Sequence, residues 1–309
     1  MIFNILVSFI IILLFVTSLG ILLLLPKSCN NSSKENYENI SLNSESESKP
    51  ILWVYWENKP LSIIPPYIKL CIQSIFKHCS KSFHVVLLNE KNIYKYLPEL
   101  KQKEIDLNFS NLLIAQKVDY YRILLLTKYG GLYLDADVLV LKDPIEIIEK
   151  LKEYDFVGFG CTGLKCNYGY GRPSNGILAS RPQSRLMVNV LKNIEDKINK
   201  INNNSDKKFE YFDLGKYVIW DELDKLFKNE NYKYFHFSND YDGTRDINGR
   251  WINLPIIFSE EPIPYKNPDK MFFLVLYNSG MDEFKKMSED SLLKSNMNIS
   301  KFLRKSLLE

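Results

Sequence analysis

The stretch that most constrains the fold runs from residue 111 to residue 137, where a helical pattern gives way to a short apolar strand. Apolar residues recur at helical spacing up to Tyr129, and the following Gly130-Gly131 can adopt the left-handed conformation that ends a helix. Leu132-Tyr133-Leu134 then has the composition of a strand. Because this strand leads directly into Asp135-Ala136-Asp137, the segment predicts two carboxylates at the end of a buried strand.

Alternating strand and helix patterns extend over most of the chain. The predicted strands are 51–56, 83–88, 132–134, 138–141, 155–159, 175–180, 233–237 and 271–277, and the predicted helices are 66–78, 90–96, 111–128, 183–198, 213–228 and 288–307. Such alternation is typical of an α/β fold with a single Rossmann-like mixed sheet, largely parallel and flanked by helices. Ligands of these sheets collect beyond the carboxyl ends of strands. Both Trp53-Val54-Tyr55-Trp56 and Asp135-Ala136-Asp137 are predicted to lie at such ends.

The acidic residues of this region suggest a site for a divalent cation and a diphosphate. A hard cation prefers oxygen ligands, and the carboxylates of Asp135 and Asp137 could both turn toward one metal ion. Asp-x-Asp alone also fits a solvated turn after an edge strand. Asp119 and Arg122 are three positions apart, so they share one helix face, although an exposed pair of this kind would be worth less than about 1 kcal/mol. Their combination with the Gly-Gly turn and the strand favours a functional site.

These residues resemble a family of glycosyltransferases with a DXD sugar-binding region. The shared block is present as Asp119-Tyr120-Tyr121-Arg122, then Leu124-Leu125-Leu126, then Tyr129-Gly130-Gly131-Leu132-Tyr133-Leu134-Asp135-Ala136-Asp137. The chain is most similar to the capsular-polysaccharide-synthesis type, with alpha-1,6-mannosyltransferases and clostridial glucosylating toxins as distant relatives. The segments 50–56 and 173–182 look like the family's first strand and its segment after the DXD, so the resemblance covers roughly residues 50 to 200.

The resemblance implies a GT-A-like fold and a role for each matching residue. Asp137 would be the closer metal ligand, and Asp135 would contact ribose, sugar or metal-bound water. Asp119, Arg122 and Asn175 would contact the donor sugar, for which a carboxylate beside a planar guanidinium is well suited. The remaining donor-binding residues implied by the resemblance are Trp53, Tyr55 and Gly131.

The same resemblance implies the reaction and its partners. The expected cofactor is Mn²⁺, with Mg²⁺ also compatible with an all-oxygen site. The expected donor is a nucleotide-diphosphate sugar, and the expected acceptor is a glycan or another hydroxyl compound. Anomeric configuration would be retained, and a front-side displacement would require no nucleophile. The residues do not indicate the base, the sugar or the acceptor.

The amino-terminal segment predicts a membrane anchor. Residues 1–26 are almost entirely apolar, and about 24 residues of helix span a bilayer; a cleaved signal peptide is the alternative. Residues 27–49 are rich in Ser, Asn and Glu, which predicts a flexible stem before a catalytic domain at 50–309. We expect a single-pass protein of a Golgi-like endomembrane with a lumenal catalytic domain, or alternatively one on the cytoplasmic face.

Other features narrow the class of function. The net charge of +3 gives no indication of a nucleic-acid partner. The five cysteines lack the spacing of a zinc site; Cys161 and Cys166 either form a bridge or, as we prefer, are unrelated thiols. His236 is either a third metal ligand or a half-buried strand histidine, and we prefer the second interpretation.

Two alternative functions remain. One is a catalytically inactive, membrane-anchored glycan-binding protein of the same fold. The other is a phosphohydrolase that uses an Asp-x-Asp pair, which is disfavoured because Leu139 stands two positions after Asp137.

Overall fold

The structure is a computed structural model. It describes residues 49–58, 62–161, 171–202, 209–230, 232–280, 282 and 284–309. Nearly all of the segment predicted to be the catalytic domain is therefore described, whereas the predicted anchor and all of the predicted stem except residue 49 lie outside the described residues.

The centre of the fold is a six-stranded mixed sheet. Its strands are β1 (Ile51–Tyr55), β2 (His84–Leu88), β3 (Gly131–Asp135), β5 (Phe156–Cys161), β6 (Arg172–Ser180) and β7 (Phe235–Ser238). The strand order is β2-β1-β3-β6-β5-β7. β1 is parallel to both β2 and β3, and β5 is parallel to β7, whereas β6 is antiparallel to both of its neighbours. The predicted α/β class and mixed sheet are confirmed, and β6 makes the sheet less parallel than expected.

Helices cover the sheet. They are α1 (Pro66–Cys79), α2 (Ile93–Tyr96), α3 (Leu100–Asp106), α4 (Ile114–Tyr129), α5 (Ile145–Lys150), α6 (Arg185–Asn202), α7 (Lys216–Glu230), α8 (Leu254–Ile257), α9 (Glu289–Lys294) and α10 (Asn298–Leu307). Side chains alternate along β1, so Leu52 and Val54 join the core on the α1 face while Trp53 and Tyr55 join the core on the α4 face.

α4 is the helix that positions the candidate site. It begins where the Gln116 side chain accepts a hydrogen bond from the backbone N–H of Leu113 at 2.9 Å, and it ends at Gly130, whose φ is 66°. The prediction that the helix stops at this glycine is confirmed. The positive φ at this position would be strained for any other residue. Gly131 lies so close to β1 that an added Cβ would be 2.3 Å from the carbonyl oxygen of Ile51. The two glycines thus turn the chain from α4 directly into the centre of the sheet.

A second, two-stranded sheet follows the aspartates. It pairs β4 (Val138–Val140) with β8 (Phe273–Val275) in antiparallel register. Residues 288–307, predicted as one helix, form the two helices α9 and α10, because the backbone is extended at Ser295 and Met297. α9 begins at a cap in which the Ser288 hydroxyl accepts from the backbone N–H of Ser291 at 3.1 Å.

The structure corrects the predicted localisation. Of the helices in the described part of the chain, none combines the length and the apolar composition needed to cross a bilayer. This finding runs against the predicted single-pass localisation. Residues 1–26, for which the anchor was predicted, lie outside the described residues.

Candidate functional site

Arg122 is the centre of the candidate site. Its guanidinium is 3.3 Å from Oδ1 of Asp119 and 3.0 Å from Oδ1 of Asp135. It also lies over the Tyr133 ring, 4.7 Å from the ring centroid, a favourable position for a cation. The Arg122 side chain is only 6% exposed, so these contacts replace most of its hydration. The surface ion pair considered from the sequence is therefore a buried one.

Asn175 of β6 completes what we call the Arg122 network, defined as Asp119, Arg122, Asp135 and Asn175. Its amide nitrogen donates to Oδ1 of Asp119 at 2.6 Å, and its backbone carbonyl accepts from Arg122. The amide oxygen of Asn175 is buried and has no hydrogen-bond partner among the described residues. A buried acceptor without a donor is costly, so this oxygen is suited to a hydroxyl group of a ligand.

Asp135 and Asp137 lie at the carboxyl end of β3. Asp135 pairs in register with Tyr55, the last residue of β1. Its side chain is 33% exposed, so it reaches the rim of the network, whereas Asp119 is 8% exposed. The carboxylate of Asp137 accepts a hydrogen bond from the backbone N–H of Asn278 at 2.6 Å, and the backbone carbonyl of Asp137 accepts from Leu276 at 3.1 Å.

Burial and neighbouring charge disfavour full ionisation of these acids. Burial raises the pKa of Asp119 to about 6, against the opposing effect of Arg122. Burial, followed by repulsion from Asp135, raises the pKa of Asp137 to about 6, although its hydrogen bond with Asn278 opposes this. Burial opposes the charged form of Arg122, but Asp135, Tyr133 and Asp119 raise its pKa above the ordinary value. Two carboxylates thus share one guanidinium and a third, Asp137, lies near Asp135, which leaves an excess of negative charge.

Two glycines allow the surrounding chain to approach the network closely. A Cβ at position 176 would lie 2.8 Å from Oδ2 of Asp135. A Cβ at position 215 would lie 2.5 Å from Nδ2 of Asn175 and 2.7 Å from Oδ2 of Asp119. Side chains at either position would collide with the network, so the segment before α7 lies directly against it.

The aromatic side chains of β1 are buried and form hydrogen bonds within the protein. Trp53 is fully buried, and its indole N–H donates to the carbonyl of Gly130 at 2.9 Å. Tyr55 is 6% exposed and donates to Oε2 of Glu57 at 2.7 Å. A contact between the Trp53 ring and a nucleotide would require the ring to leave the core. Trp56, which the sequence analysis did not select, is the more accessible ring at this end of β1.

His236 lies away from the Arg122 network. It is half-buried in β7, which β6 and β5 separate from β3 in the sheet. Burial lowers the pKa of its imidazole to about 4, so the neutral form prevails. Within the described ranges, no group of three or more His, Cys, Asp or Glu side chains could hold a metal ion. The pair Asp135 and Asp137 would therefore need oxygen atoms from a ligand or water to complete a coordination shell.

Cysteine pairing differs from the expectation. Cys161 at the end of β5 is disulfide-bonded, so its interpretation as an unrelated thiol is wrong. Cys166 lies outside the described residues, and Cys71 and Cys79 are buried free thiols of α1.

Two surface clefts lie elsewhere on the fold. One, of about 200 Å³, includes Tyr265 and Phe302, and another, of about 470 Å³, includes Tyr94 and Phe109. Neither contains a residue of the Arg122 network. The volume of a cleft therefore does not identify the Arg122 network.

Sequence reasoning missed three residues that contact the Arg122 network or Asp137. Tyr133 was used only as a strand residue, yet its ring carries the Arg122 guanidinium. Gly176 follows Asn175 directly, and its lack of a side chain was the available signal. Nothing in the sequence near Asn278 indicated a contact with Asp137, because the two positions are 141 residues apart.

Comparison with known protein families gives one match. The family described as "Capsular polysaccharide synthesis protein" matches residues 21–241. This match confirms the family identified from the Asp-x-Asp block, and with it the enzyme class of glycosyltransferase. None of the curated proteins compared with the chain matches it.

Several solved structures are similar at a distance. The glycosyltransferase GlyE of Streptococcus pneumoniae TIGR4 is 15% identical with a TM-score of 0.43, over 83% of this chain and 62% of GlyE. The WbbM bifunctional glycosyltransferase is 10% identical with a TM-score of 0.45, over 86% of this chain and 51% of WbbM. The PaToxG glycosyltransferase is 15% identical with a TM-score of 0.40, over 60% of this chain and 70% of PaToxG. This chain spans less than two thirds of the length of GlyE and of WbbM.

Proposed function

Since the chain belongs to the capsular polysaccharide synthesis protein family and is a glycosyltransferase, we propose that it moves a sugar from a nucleotide-diphosphate sugar to a hydroxyl group of a glycan. We propose further that the reaction depends on a divalent cation, Mn²⁺ or Mg²⁺, and retains anomeric configuration. The donor lies along the carboxyl ends of β1 and β3 in a GT-A-like arrangement, with its sugar at the Arg122 network.

The observation that carries the proposal is the convergence of Asp119, Arg122, Asp135 and Asn175 from a helix and two strands onto one point. Arg122 is fixed by Asp119 and Asp135 at 3.3 and 3.0 Å, so its fork is already oriented before a ligand arrives. The unpartnered amide oxygen of Asn175 accepts from a sugar hydroxyl. Such a network distinguishes a hydroxyl-rich ligand from an apolar one.

The residues at the end of β3 fit a divalent cation. Asp135 and Asp137 supply hard oxygen atoms. Burial, and then the negative charge of Asp135, raise the pKa of Asp137, and a bound cation would neutralise that charge. A bound cation would stabilise the negative charge that develops on the departing diphosphate. Asp137 is held in place by Asn278, so its carboxylate is oriented before any ligand binds.

Retention is proposed without a protein nucleophile. Asp119 is the most buried carboxylate of the network and is engaged by both Arg122 and Asn175, so it positions the sugar rather than attacking it. The incoming hydroxyl group attacks from the face that the diphosphate leaves, and its proton passes to the departing phosphate oxygen. Proton NMR of the first product formed would show the same anomer as the donor, whereas the opposite anomer would exclude this route.

The two alternatives are less well supported. A phosphohydrolase of the Asp-x-Asp type needs a free first aspartate as its nucleophile, but Asp135 is 3.0 Å from the Arg122 guanidinium. A catalytically inactive glycan-binding protein would not need the carboxylates of Asp135 and Asp137 together at the end of β3, the second of them oriented by the backbone N–H of Asn278. The products formed from a nucleotide sugar distinguish the three functions, because a transferase releases a nucleoside diphosphate, a phosphohydrolase releases a nucleoside monophosphate and a sugar phosphate, and a binding protein releases neither.

The decisive experiment measures hydrolysis of UDP- and GDP-sugars by the purified chain with Mn²⁺, and compares Asp137→Asn with the wild type. We expect hydrolysis of one donor, its loss in excess chelator, and a decrease of about 10²–10³-fold in the variant. The matched control is Asp290→Asn, which removes a carboxylate that is 71% exposed in a surface ion pair.

Two results would contradict the proposal. One is full activity of the chelated wild type or of Asp137→Asn, which would exclude a metal-binding role for Asp137. The other is the absence of hydrolysis and of transfer for every nucleotide sugar tested, which would favour the inactive binding protein. Circular dichroism of both variants at 25 °C would show whether the fold is retained.

A further inference from the structure

Four aromatic side chains form a continuous row of rings around the start of α7, and three of the four are exposed. We call Tyr211, Phe212, Tyr217 and Trp220 the aromatic strip. Consecutive ring centroids are 4.9, 5.8 and 5.6 Å apart along this order. Tyr211 is 48%, Phe212 38% and Tyr217 37% exposed. Large apolar side chains are usually buried, so a contiguous exposed row of rings is typical of a binding surface.

Lys216 lies within the aromatic strip. Its ammonium is 3.6 Å from the ring centroid of Phe212 and 5.3 and 5.4 Å from those of Tyr217 and Trp220. In the part of the chain that the structure describes, no carboxylate forms an ion pair with Lys216. Burial among the rings lowers its pKa. The strip thus presents flat apolar surfaces around a group that can donate three hydrogen bonds.

The aromatic strip is fixed to the same strand as the Arg122 network. The indole N–H of Trp220 donates to the carbonyl of Pro173 in β6 at 2.8 Å, two residues before Asn175. Gly215, directly before Lys216, approaches Asn175 and Asp119 so closely that a Cβ would collide with both. The segment that carries the rings is therefore held against both the network and β6.

Electrostatics support this proximity. The pKa of Tyr211 is raised, first by partial burial and then by the charges of Asp119, Asp135 and Asp137. A phenol can be affected by all three carboxylates only if it lies near the rim of the network. Tyr211 is thus both an exposed ring of the strip and a neighbour of the proposed donor sugar.

We propose that the aromatic strip is the acceptor subsite and that it binds a saccharide chain whose rings stack on Phe212 and Tyr217, with Lys216 donating to ring hydroxyl groups. The proposal rests on the proposed function, because the acceptor hydroxyl must reach the donor sugar at the Arg122 network. A saccharide fits this surface because one face of a pyranose ring is apolar while its edge carries hydroxyl groups. An aromatic ring matches the face and an ammonium group matches the edge.

The test measures saccharide binding separately from donor chemistry. Saturation-transfer-difference NMR with the full chain and the disaccharides cellobiose, maltose, lactose and N,N′-diacetylchitobiose would give a dissociation constant for each. We expect at least one of them to bind the wild type saturably. Replacing both Phe212 and Tyr217 by Ala should weaken that binding at least about 10-fold.

Conservative variants are the matched controls. Phe212→Tyr and Tyr217→Phe keep both rings, so they should retain binding within about 3-fold. Lys216→Gln removes the charge and keeps a donor, and we expect it to weaken binding less than the double alanine variant does. Because these side chains are exposed, circular dichroism should show a folded chain; Lys216→Gln remains informative if the double variant fails to fold.

The outcomes separate this inference from the proposed function. The subsite proposal is overturned if none of the disaccharides binds the wild type, or if the double alanine variant binds as tightly as the wild type. In the presence of a disaccharide that binds, the ratio of transfer to donor hydrolysis should fall at least about 10-fold in the double alanine variant. If the wild type hydrolyses no nucleotide sugar at all, the proposed function fails, whereas hydrolysis with unaltered saccharide binding in the variant contradicts only the subsite.

Discussion

Two buried carboxylates of this fold, Asp119 and Asp242, look alike until their partners are compared. Each is almost fully buried, and burial is the largest cause that raises the pKa of each to about 6. Asp242 accepts hydrogen bonds from the hydroxyl and backbone N–H of Thr244 at 2.6 and 3.0 Å, and from the Asn239 amide at 3.1 Å. Asp119 instead shares Arg122 with Asp135 and leads to a half-exposed rim.

The difference shows that a raised pKa does not by itself identify a functional site. Asp242 is satisfied mainly by neutral donors from its own loop, so it stabilises that loop and leaves no group available to a ligand. Asp119 belongs to a set in which negative charge exceeds positive charge and in which Asn175 has an unpartnered acceptor. Excess charge and open hydrogen-bonding capacity distinguish a candidate site from a structural one.

The largest expected effect comes from removing the positive charge of Arg122, which Asp119 and Asp135 share. Arg122→Met keeps most of the side-chain volume but leaves Asp119 and Asp135 without a counter-charge, which should lower the free energy of unfolding at pH 7 by about 3–5 kcal/mol. Urea unfolding measures this change. Lys294→Met is the control, because its ion pair with Asp290 is 76% and 71% exposed and should be worth less than about 1 kcal/mol. Equal losses of unfolding free energy in the two variants would mean that Asp119 and Asp135 do not need the positive charge of Arg122.

A smaller effect concerns pH. The ordinary pKa of 3.8 applies to unfolded Asp119, and its pKa in the folded chain is about 6, so between these values the folded chain holds a proton that the unfolded chain releases. Stability therefore falls as pH rises through this window, by at most about 3 kcal/mol from this group. Asp119→Asn should remove that slope when urea unfolding of the metal-free chain is measured from pH 4 to pH 7.

The sign of this slope tests the comparison directly. Asp242→Asn should remove a slope of the same sign, because burial raises the pKa of Asp242 as well. If Asp119→Asn instead removed a contribution to stability that increases with pH, the attraction of Arg122 would outweigh burial and lower the pKa of Asp119. Asp119 and Asp242 would then differ in the direction of their pKa shifts.

The smallest effect is expected at the Asp242 loop. Thr244→Val keeps the shape of the buried side chain but removes the hydroxyl that donates to Asp242 at 2.6 Å and accepts from Asn239 at 2.7 Å. The buried Asp242 and the half-buried Asn239 each lose a partner, so the free energy of unfolding should fall by about 1–2 kcal/mol. Differential scanning calorimetry would show the loss as a lower Tm. An unchanged Tm would mean that water replaces the Thr244 hydroxyl. Asp242 would then be more accessible to water than Asp119 is.

The local part of the site could be predicted from the sequence. Asp119 and Arg122 are three apart on a helix, and Gly130-Gly131 turns the chain into a strand, so their proximity to Asp135 follows from short-range geometry. Their burial could not be predicted, because it depends on β6 and the segment before α7 covering the helix. The resemblance added Asn175, and the structure places this residue 2.6 Å from Asp119.

Long-range features escaped prediction for a physical reason. The sequence of β6 gives no indication of strand direction, so its antiparallel pairing with β3 and β5 was not foreseen. The burial of Trp53 was not foreseen, because a large aromatic residue at a strand end can be a stacking surface or a core residue; in the structure its ring is in the core and its indole N–H donates to Gly130. The short helix α3 carries no distinctive apolar period and was missed.

The support that Asn278 gives to Asp137 has a consequence for synthesis of the protein. During translation both aspartates leave the ribosome well before the segment that orients the second of them, since 141 positions separate the partners. A nascent chain that has folded only as far as β3 therefore carries the whole acidic motif in an immature form. The Asp-x-Asp motif therefore reaches its final geometry only after distant residues have folded onto it, even though its own residues are adjacent in the sequence.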